Sequence, residues 1–206
     1  MASGKVIFWE VDTQADFMLP GGRLYVPGAE RLLPNIRKLT QAAREGRVFL
    51  VSHGCYHAND DPEFKTFPPH CIKGTAGAGF VMEALTDKVV TVPNDATAKL
   101  PDDIFQSQQV LLEKQTLDIF ESRHAGPLVE RLERDAEFVV FGVVTEYCVR
   151  FAAKGLLDRG RRVSVVQDAI ETLAPEQGQR TVAELQSLGG RFITTAQALA
   201  LLDGPR

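Results

Sequence analysis

The stretch from Phe138 to Leu156 constrains the fold of this chain more than any other. Residues 138–144 form an apolar run rich in β-branched and aromatic side chains, which is typical of a strand buried on both faces of a sheet. Residues 147–158 then carry apolar side chains at helical spacing. A buried strand followed directly by a helix is the repeating unit of parallel α/β sheets, so the stretch predicts a sheet of that kind.

The same stretch places Cys148 in the first turn of the predicted helix. Unpaired backbone N–H groups and the positive end of the helix dipole favour a thiolate there, which makes Cys148 a candidate nucleophile. The alternative is a small apolar core residue, the commoner role of a buried cysteine.

Strand and helix patterns alternate along the whole chain. The predicted strands cover residues 6–11, 47–52, 88–92, 138–144, 162–167 and 191–194, and the predicted helices 29–45, 127–134, 147–158, 175–188 and 195–202. A chain of 206 residues with 44% hydrophobic content can bury one sizeable core. We therefore predict one domain over residues 1–206, an α/β sandwich with a six-stranded, mostly parallel sheet flanked by helices. The irregular stretch 53–126 is predicted to be an active-site insertion, since long irregular segments in compact domains are usually functional.

The composition of the chain limits the kinds of partner that it can bind. A net charge of −4 leaves no broad basic surface for nucleic acid, so a small-molecule partner is predicted. No apolar run approaches the roughly 18 residues that cross a membrane, and the amino-terminal sequence carries no signal-peptide pattern, which favours a cytoplasmic protein. Cys55, Cys71 and Cys148 show no paired spacing, as expected in a reducing compartment.

Polar side chains follow several of the predicted strands. Asp12 ends the first strand, Lys114 follows the short apolar run VLLEK, and Cys148 follows the long strand. Ligands of open parallel sheets bind beyond the carboxyl ends of the strands, so these side chains are expected to converge. Taken singly, Asp12 is also compatible with a turn or cap, and Lys114 with a solvated surface charge.

Residues 55–71 form a second group of reactive side chains. His57, Glu63 and His70 are ligand types for zinc, iron or manganese. The alternative is that His53 and His57 lie on a loop surface and that His70 caps a turn.

The motifs VDTQADF, PPHCIKGT, KQTLDIF and GVVTEYCV, in this order, resemble those of the isochorismatase-like cysteine hydrolases, and most closely those of the nicotinamidases. The resemblance implies a catalytic triad of Asp12, Lys114 and Cys148. It also implies an oxyanion hole at Val144 and the Cys148 N–H group, beside a cis peptide bond between Val143 and Val144. Homo-oligomers, dimers or tetramers, are implied as well.

The activity implied is hydrolysis of a small amide, foremost nicotinamide to nicotinate and ammonia, through a thioester on Cys148. Carbamoyl, ureido or maleamate-type amides are the alternative within the superfamily. The Thr145-x-x-Cys148 spacing leaves open a thiol peroxidase or redox sensor, and a binding protein without activity is a further alternative.

The resemblance also implies a divalent metal, held in nicotinamidases by the loop that corresponds to residues 55–71. His57 and His70 match that loop, Glu63 stands where a histidine is common, and Cys55 stands where an aspartate is expected. The metal is therefore left open between zinc, iron and manganese, and a Cys55 thiolate would favour zinc. Substrate contacts are implied for Phe17 and Phe67, which are equally compatible with the core. Tyr147 is a further candidate for the pocket wall, because it lies beside Cys148.

Overall fold

A computed structural model describes residues 6–204 of the chain. Its sheet has seven parallel strands in the order β3-β4-β2-β1-β5-β6-β7. The strands are β1 (Val6–Val11), β2 (Phe49–Cys55), β3 (Val89–Val92), β4 (Gln109–Lys114), β5 (Glu137–Val143), β6 (Arg162–Glu171) and β7 (Arg191–Ile193). The predicted α/β class with a parallel sheet is confirmed, with one strand more than the six expected.

The additional strand is β4, which lies inside the stretch predicted to be an irregular insertion. Its ends carry polar side chains, Gln109, Glu113 and Lys114, and all three are buried. A hydrophobicity pattern assigns such residues to the surface, which is why only the short apolar run between them was apparent in the sequence.

The α-helices within residues 6–204 are α1 (Ala15–Met18), α2 (Leu33–Arg44), α3 (Ala125–Arg131), α4 (Arg150–Asp158), α5 (Pro175–Ser187) and α6 (Thr195–Ala200). The helix predicted from residue 29 is divided into a 3-10 turn, Ala29–Leu32, and α2. Pro34 lies in the first turn of α2, where the missing N–H group costs no hydrogen bond. Among the described residues, no helix is long and apolar enough to cross a membrane.

Apolar side chains cover both faces of the sheet. Along β1 they alternate, so Phe8 belongs to one core layer and Trp9 to the other. Helices cover both faces of the sheet, so loops and polar side chains collect at the edge formed by the carboxyl ends of the strands. Two isolated bridges, Gln14 with Phe80 and His57 with Ile72, fasten the segment after β2 to this edge.

β1 and β5 approach each other closely at this edge. Gly142 has a φ of +118°, and a Cβ atom there would lie 2.0 Å from the carbonyl oxygen of Val11. Only glycine fits such a position. One residue further along, the peptide bond between Val143 and Val144 is cis, as the resemblance predicted.

Candidate active site

Four neighbouring strands, β4, β2, β1 and β5, end beneath one cavity. Asp12 follows β1, Lys114 is the last residue of β4, and Cys148 lies in a π-helical turn, Thr145–Val149, after β5. Cys55 ends β2 and is the register partner of Lys114. The structure thus brings together the three side chains that were expected to converge, and it adds Cys55 between them.

Lys114 is the common neighbour in this group. Its Nζ atom lies 3.0 Å from Asp12 Oδ2 and 3.5 Å from Cys148 Sγ, and the Lys114 side chain is fully buried. Burial by itself lowers the pKa of Lys114, but Asp12 and the two sulfurs outweigh it and raise that pKa well above its usual value. Lys114 is therefore a buried ammonium ion, and its assignment to the solvated surface is wrong.

The state of Cys148 differs from the sequence expectation. Its pKa is raised, because its thiol hydrogen-bonds to Cys55, because it is buried, and because Asp12 is negatively charged nearby. The residue lies in a π-helical turn, and a competing sulfur lies closer to the ammonium. These neighbours favour the thiol form of Cys148 over the thiolate, so a nearby base is needed to activate the sulfur.

The pKa of the second sulfur, that of Cys55, shifts in the opposite direction. The hydrogen bond from Cys148 lowers the pKa of Cys55 well below its usual value, and Lys114 lowers it further against the effect of burial. Lys114 Nζ is 2.8 Å from Cys55 Sγ. Gln14 holds the Cys55 backbone from both sides, accepting from its N–H group at 2.7 Å and donating to its carbonyl oxygen at 2.6 Å.

The predicted metal ligands also lie together. Ligand atoms of Cys55, His57 and His70 are all within 4.8 Å of one another. Glu63 Oε1 is 3.9 Å from Nε2 of His57 and 3.7 Å from Nε2 of His70. The alternative that His53 and His57 are surface residues is wrong, since both are fully buried.

Neighbouring oxygen atoms orient both imidazoles. His57 Nδ1 lies 2.9 Å from Asp61 Oδ2, and His70 Nδ1 donates to the carbonyl oxygen of Pro68 at 2.8 Å. This leaves Nε2 of each ring as the ligand atom, and Nε2 of His57 is buried without a hydrogen-bond partner. Imidazoles fixed in this way by outer oxygens are typical of metal sites, so these residues fit a divalent metal.

The charge around His57 supports the same conclusion. Burial alone disfavours the imidazolium, but Cys55 and Asp61 outweigh it and raise the pKa of His57 to about 9. The groups that favour a proton on His57 would also favour a divalent cation, which would take the place of that proton on the ring. Asp61 could have been found in the sequence, because an aspartate before Pro62 is a typical cap, and Asp61 does cap a 3-10 turn, Pro62–Lys65.

Apolar side chains line most of the cavity above Cys148. Phe17, Phe67 and Tyr147 all lie at its wall, as expected, and so do Val144 and three leucines that were not predicted, Leu24, Leu117 and Leu173. The rings of Phe67 and Tyr147 meet edge to face at 5.6 Å. Within residues 6–204, no arginine or lysine is among the lining residues. The free volume is about 20 Å³, room for about one water molecule, so a ring can enter only when side chains move.

Two residues that support the site, Glu146 and His53, were not predicted from the sequence. Glu146 accepts hydrogen bonds from the backbone N–H groups of Leu173 (3.0 Å) and Ala174 (2.7 Å), and so fixes one cavity wall. His53 Nδ1 lies 3.3 Å from Asp12 Oδ1 behind the carboxylate. Glu146 could have been suspected from its place in the motif TEYC, whereas His53 gave no signal beyond its closeness to Cys55.

Comparison with known proteins gives consistent matches. The model of the isochorismatase domain matches residues 85–197. The chain is 26% identical over 208 residues to a nicotinamidase of Saccharomyces cerevisiae, covering 86% of this chain and 94% of that protein. It is 24% identical over 192 residues to a maleamate amidohydrolase of Pseudomonas putida, covering 93% and 84%. The crystal structure of pyrazinamidase of Pyrococcus horikoshii in complex with zinc superposes with a TM-score of 0.72 at 26% identity, covering 92% of this chain and 99% of that one.

Proposed function

Because the chain belongs to the isochorismatase family, we propose that it is a cysteine amidohydrolase that converts nicotinamide, or a close analogue, to the acid and ammonia. The observation that carries the proposal is the contact of one buried ammonium, that of Lys114, with both the Asp12 carboxylate and the Cys148 sulfur. A thiol with a carboxylate base can carry out covalent hydrolysis of an amide, and a neighbouring ammonium stabilises the negative charges involved. Similarity to a nicotinamidase and to a zinc-bound pyrazinamidase supports the substrate class.

In the acylation step, Asp12 removes the proton from the Cys148 thiol while the sulfur attacks the amide carbonyl carbon. The carbonyl oxygen gains negative charge during this attack, and it accepts hydrogen bonds from the backbone N–H groups at Val144 and Cys148. When the C–N bond breaks, Asp12 returns its proton to the leaving nitrogen, which departs as ammonia. The product is a thioester on Cys148.

In the deacylation step, Asp12 takes a proton from water, and the resulting nucleophile attacks the thioester carbon. The C–S bond breaks, the acid is released, and the proton returns to the sulfur. Throughout the cycle, Lys114 holds the carboxylate in place and stabilises negative charge on the sulfur.

Cys55, His57, Glu63 and His70 would hold a divalent metal beside this site. When bound, the metal supplies a Lewis acid that can take the ring nitrogen of a pyridine or pyrazine amide. Phe17 and Phe67 would orient the flat ring by aromatic contact.

A maleamate-type amide is the second candidate, because a maleamate amidohydrolase matches 93% of the chain. Such a substrate carries a carboxylate, which protein sites usually pair with arginine or lysine. Neither residue type is among the described residues that line the cavity. An uncharged ring amide therefore suits the site better.

Ammonia release from nicotinamide, pyrazinamide, maleamate and a ureido acid tests the proposal, each with and without a chelator. We expect nicotinamide and pyrazinamide to be hydrolysed, with loss of activity on chelation and recovery with added zinc. Hydrolysis of maleamate alone would replace the proposal with the second candidate. Peroxide consumption with a thiol reductant, without amide hydrolysis, would contradict both.

A further inference from the structure

We propose that Cys55 is a thiolate ligand that makes the metal site selective for thiophilic cations, zinc over manganese, and that the same sulfur joins the metal site to Lys114. The inference rests on the metal site of the proposed function and adds its selectivity. It concerns the position at which the sequence departs from the resemblance, a cysteine where an aspartate is expected.

The sulfur lies on the metal side of the site. Ligand atoms of Cys55, His57 and His70 fall within 4.8 Å of one another. The second, independent observation is Nε2 of His57, which is buried and has no hydrogen-bond partner. A buried imidazole nitrogen without a partner is costly unless something binds it. A cation held between this nitrogen and the sulfur would satisfy both.

The sulfur cannot easily leave this position. The Gln14 side chain hydrogen-bonds to the N–H group of Cys55 at 2.7 Å and to its carbonyl oxygen at 2.6 Å. Cys55 is also the last residue of β2, which is paired with β4. A cysteine side chain has a single rotatable bond between its backbone and its sulfur, so a fixed backbone leaves the sulfur only three staggered positions. The same sulfur is 2.8 Å from Lys114 Nζ. The sulfur therefore lies next to an ammonium and the metal ligands at once.

The donor set determines the preferred cation. Thiolate sulfur and imidazole nitrogen favour zinc, whereas carboxylate and water oxygens favour manganese and magnesium. One thiolate and the Glu63 carboxylate would together balance the charge of a divalent ion. An aspartate at position 55 would keep that charge balance and exchange a soft donor for a hard one. Cys55→Asp is therefore the matched variant, because it keeps a negatively charged ligand and replaces a soft donor atom with hard ones.

Cobalt(II) gives a readout that does not depend on activity. Metal-free protein loaded with cobalt is expected to show a thiolate-to-cobalt charge-transfer band in the near ultraviolet, and Cys55→Asp is expected to lose it. Cys148→Ser, which removes the neighbouring sulfur, should retain the band. A band that disappears with Cys148→Ser and survives in Cys55→Asp would overturn the assignment.

Selectivity is measured by equilibrium dialysis against equal zinc and manganese, followed by metal analysis. We expect the preference for zinc over manganese to fall by about tenfold or more in Cys55→Asp. An unchanged preference would contradict the proposal.

X-ray absorption spectroscopy of the zinc-loaded, unsubstituted chain tests the proposal even if Cys55→Asp does not fold. We expect a sulfur shell at about 2.3 Å, which should persist in Cys148→Ser; nitrogen and oxygen shells alone, at about 2.0–2.2 Å, would overturn the proposal. Amide hydrolysis without zinc–sulfur bonding would contradict this inference and leave the proposed function intact. Zinc–sulfur bonding without hydrolysis of any tested amide would do the reverse.

Discussion

Lys114 and Asp12 form a buried ion pair, with Nζ of the lysine 3.0 Å from Oδ2 of the aspartate. The two residues reach it from different strands, β4 and β1, with β2 between them in the sheet. Because neither side chain contacts solvent to any extent, each charge depends on the other for its stability. This relationship determines how the site should respond to substitution.

Replacing Lys114 with methionine should damage both stability and activity. The change leaves Asp12 buried without its cation, which costs about 3–5 kcal/mol of unfolding free energy, and kcat for amide hydrolysis should fall by about 100-fold or more. Urea unfolding and ammonia release measure the two effects. Lys154→Met is the matched control, since Lys154 pairs with Asp158 and the two side chains are 36% and 52% exposed, and it should change both quantities little.

Replacing Phe67 with alanine should raise KM for nicotinamide by about fivefold, because an aromatic contact of about 1 kcal/mol is lost. Phe67→Trp keeps an aromatic face and should restore most of the affinity. Steady-state kinetics on the two variants test this. Equal KM values for the alanine variant and the original chain would show that the Phe67 ring does not contact the substrate.

Asp61→Asn should weaken metal binding by about 10- to 100-fold, since Asp61 orients the His57 ring at 2.9 Å. Titration against a chromophoric chelator gives the dissociation constant directly. The neighbouring Asp60 is exposed, so Asp60→Asn serves as the control and should bind metal as the original chain does. Equal affinities for the two variants would remove Asp61 from the site.

Stability should depend on pH through Glu10, which is fully buried in β1. Burial raises the pKa of Glu10 to about 8, although Ser52 donates a hydrogen bond to it. Because this folded-state pKa exceeds the unfolded value of 4.5, the stabilising contribution is complete below pH 4.5 and is lost as the pH rises toward 8.

Glu10→Gln removes this ionisation and keeps a similar shape. Between pH 5 and 8 the variant should gain stability relative to the original chain, by up to about 1.4 kcal/mol per pH unit. Urea unfolding at several pH values provides the measurement. A difference between the two proteins that stays constant with pH would show that Glu10 does not carry the proton.

The sequence predicted those parts of the molecule that depend on local pattern. The strand at residues 6–11 was predicted with its observed bounds, and the long strand before Cys148 within one residue at each end, because apolar periodicity records burial directly. β4 was missed because buried Gln109 and Lys114 gain their partners from other strands. No local pattern contains that information.

The same limit applied at the site. Ligand types and their order pointed to Asp12, Cys148 and His57, but not to the pairing of Cys55 with Lys114, which depends on strand register. The interplay of the two sulfurs was not predicted either, since a helix-dipole argument considers one sulfur, whereas the folded site holds two that shift each other's pKa in opposite directions.

Ammonia release by a folded Cys148→Ala variant shows whether Cys148 is the nucleophile. The control is Cys71→Ala, because Cys71 is a second buried cysteine whose sulfur faces the carbonyl oxygen of Gly77. We predict no turnover above background for Cys148→Ala, with thermal unfolding close to that of the original chain, and substantial turnover for Cys71→Ala. A folded Cys148→Ala variant that still releases ammonia from nicotinamide at the original rate would contradict the account.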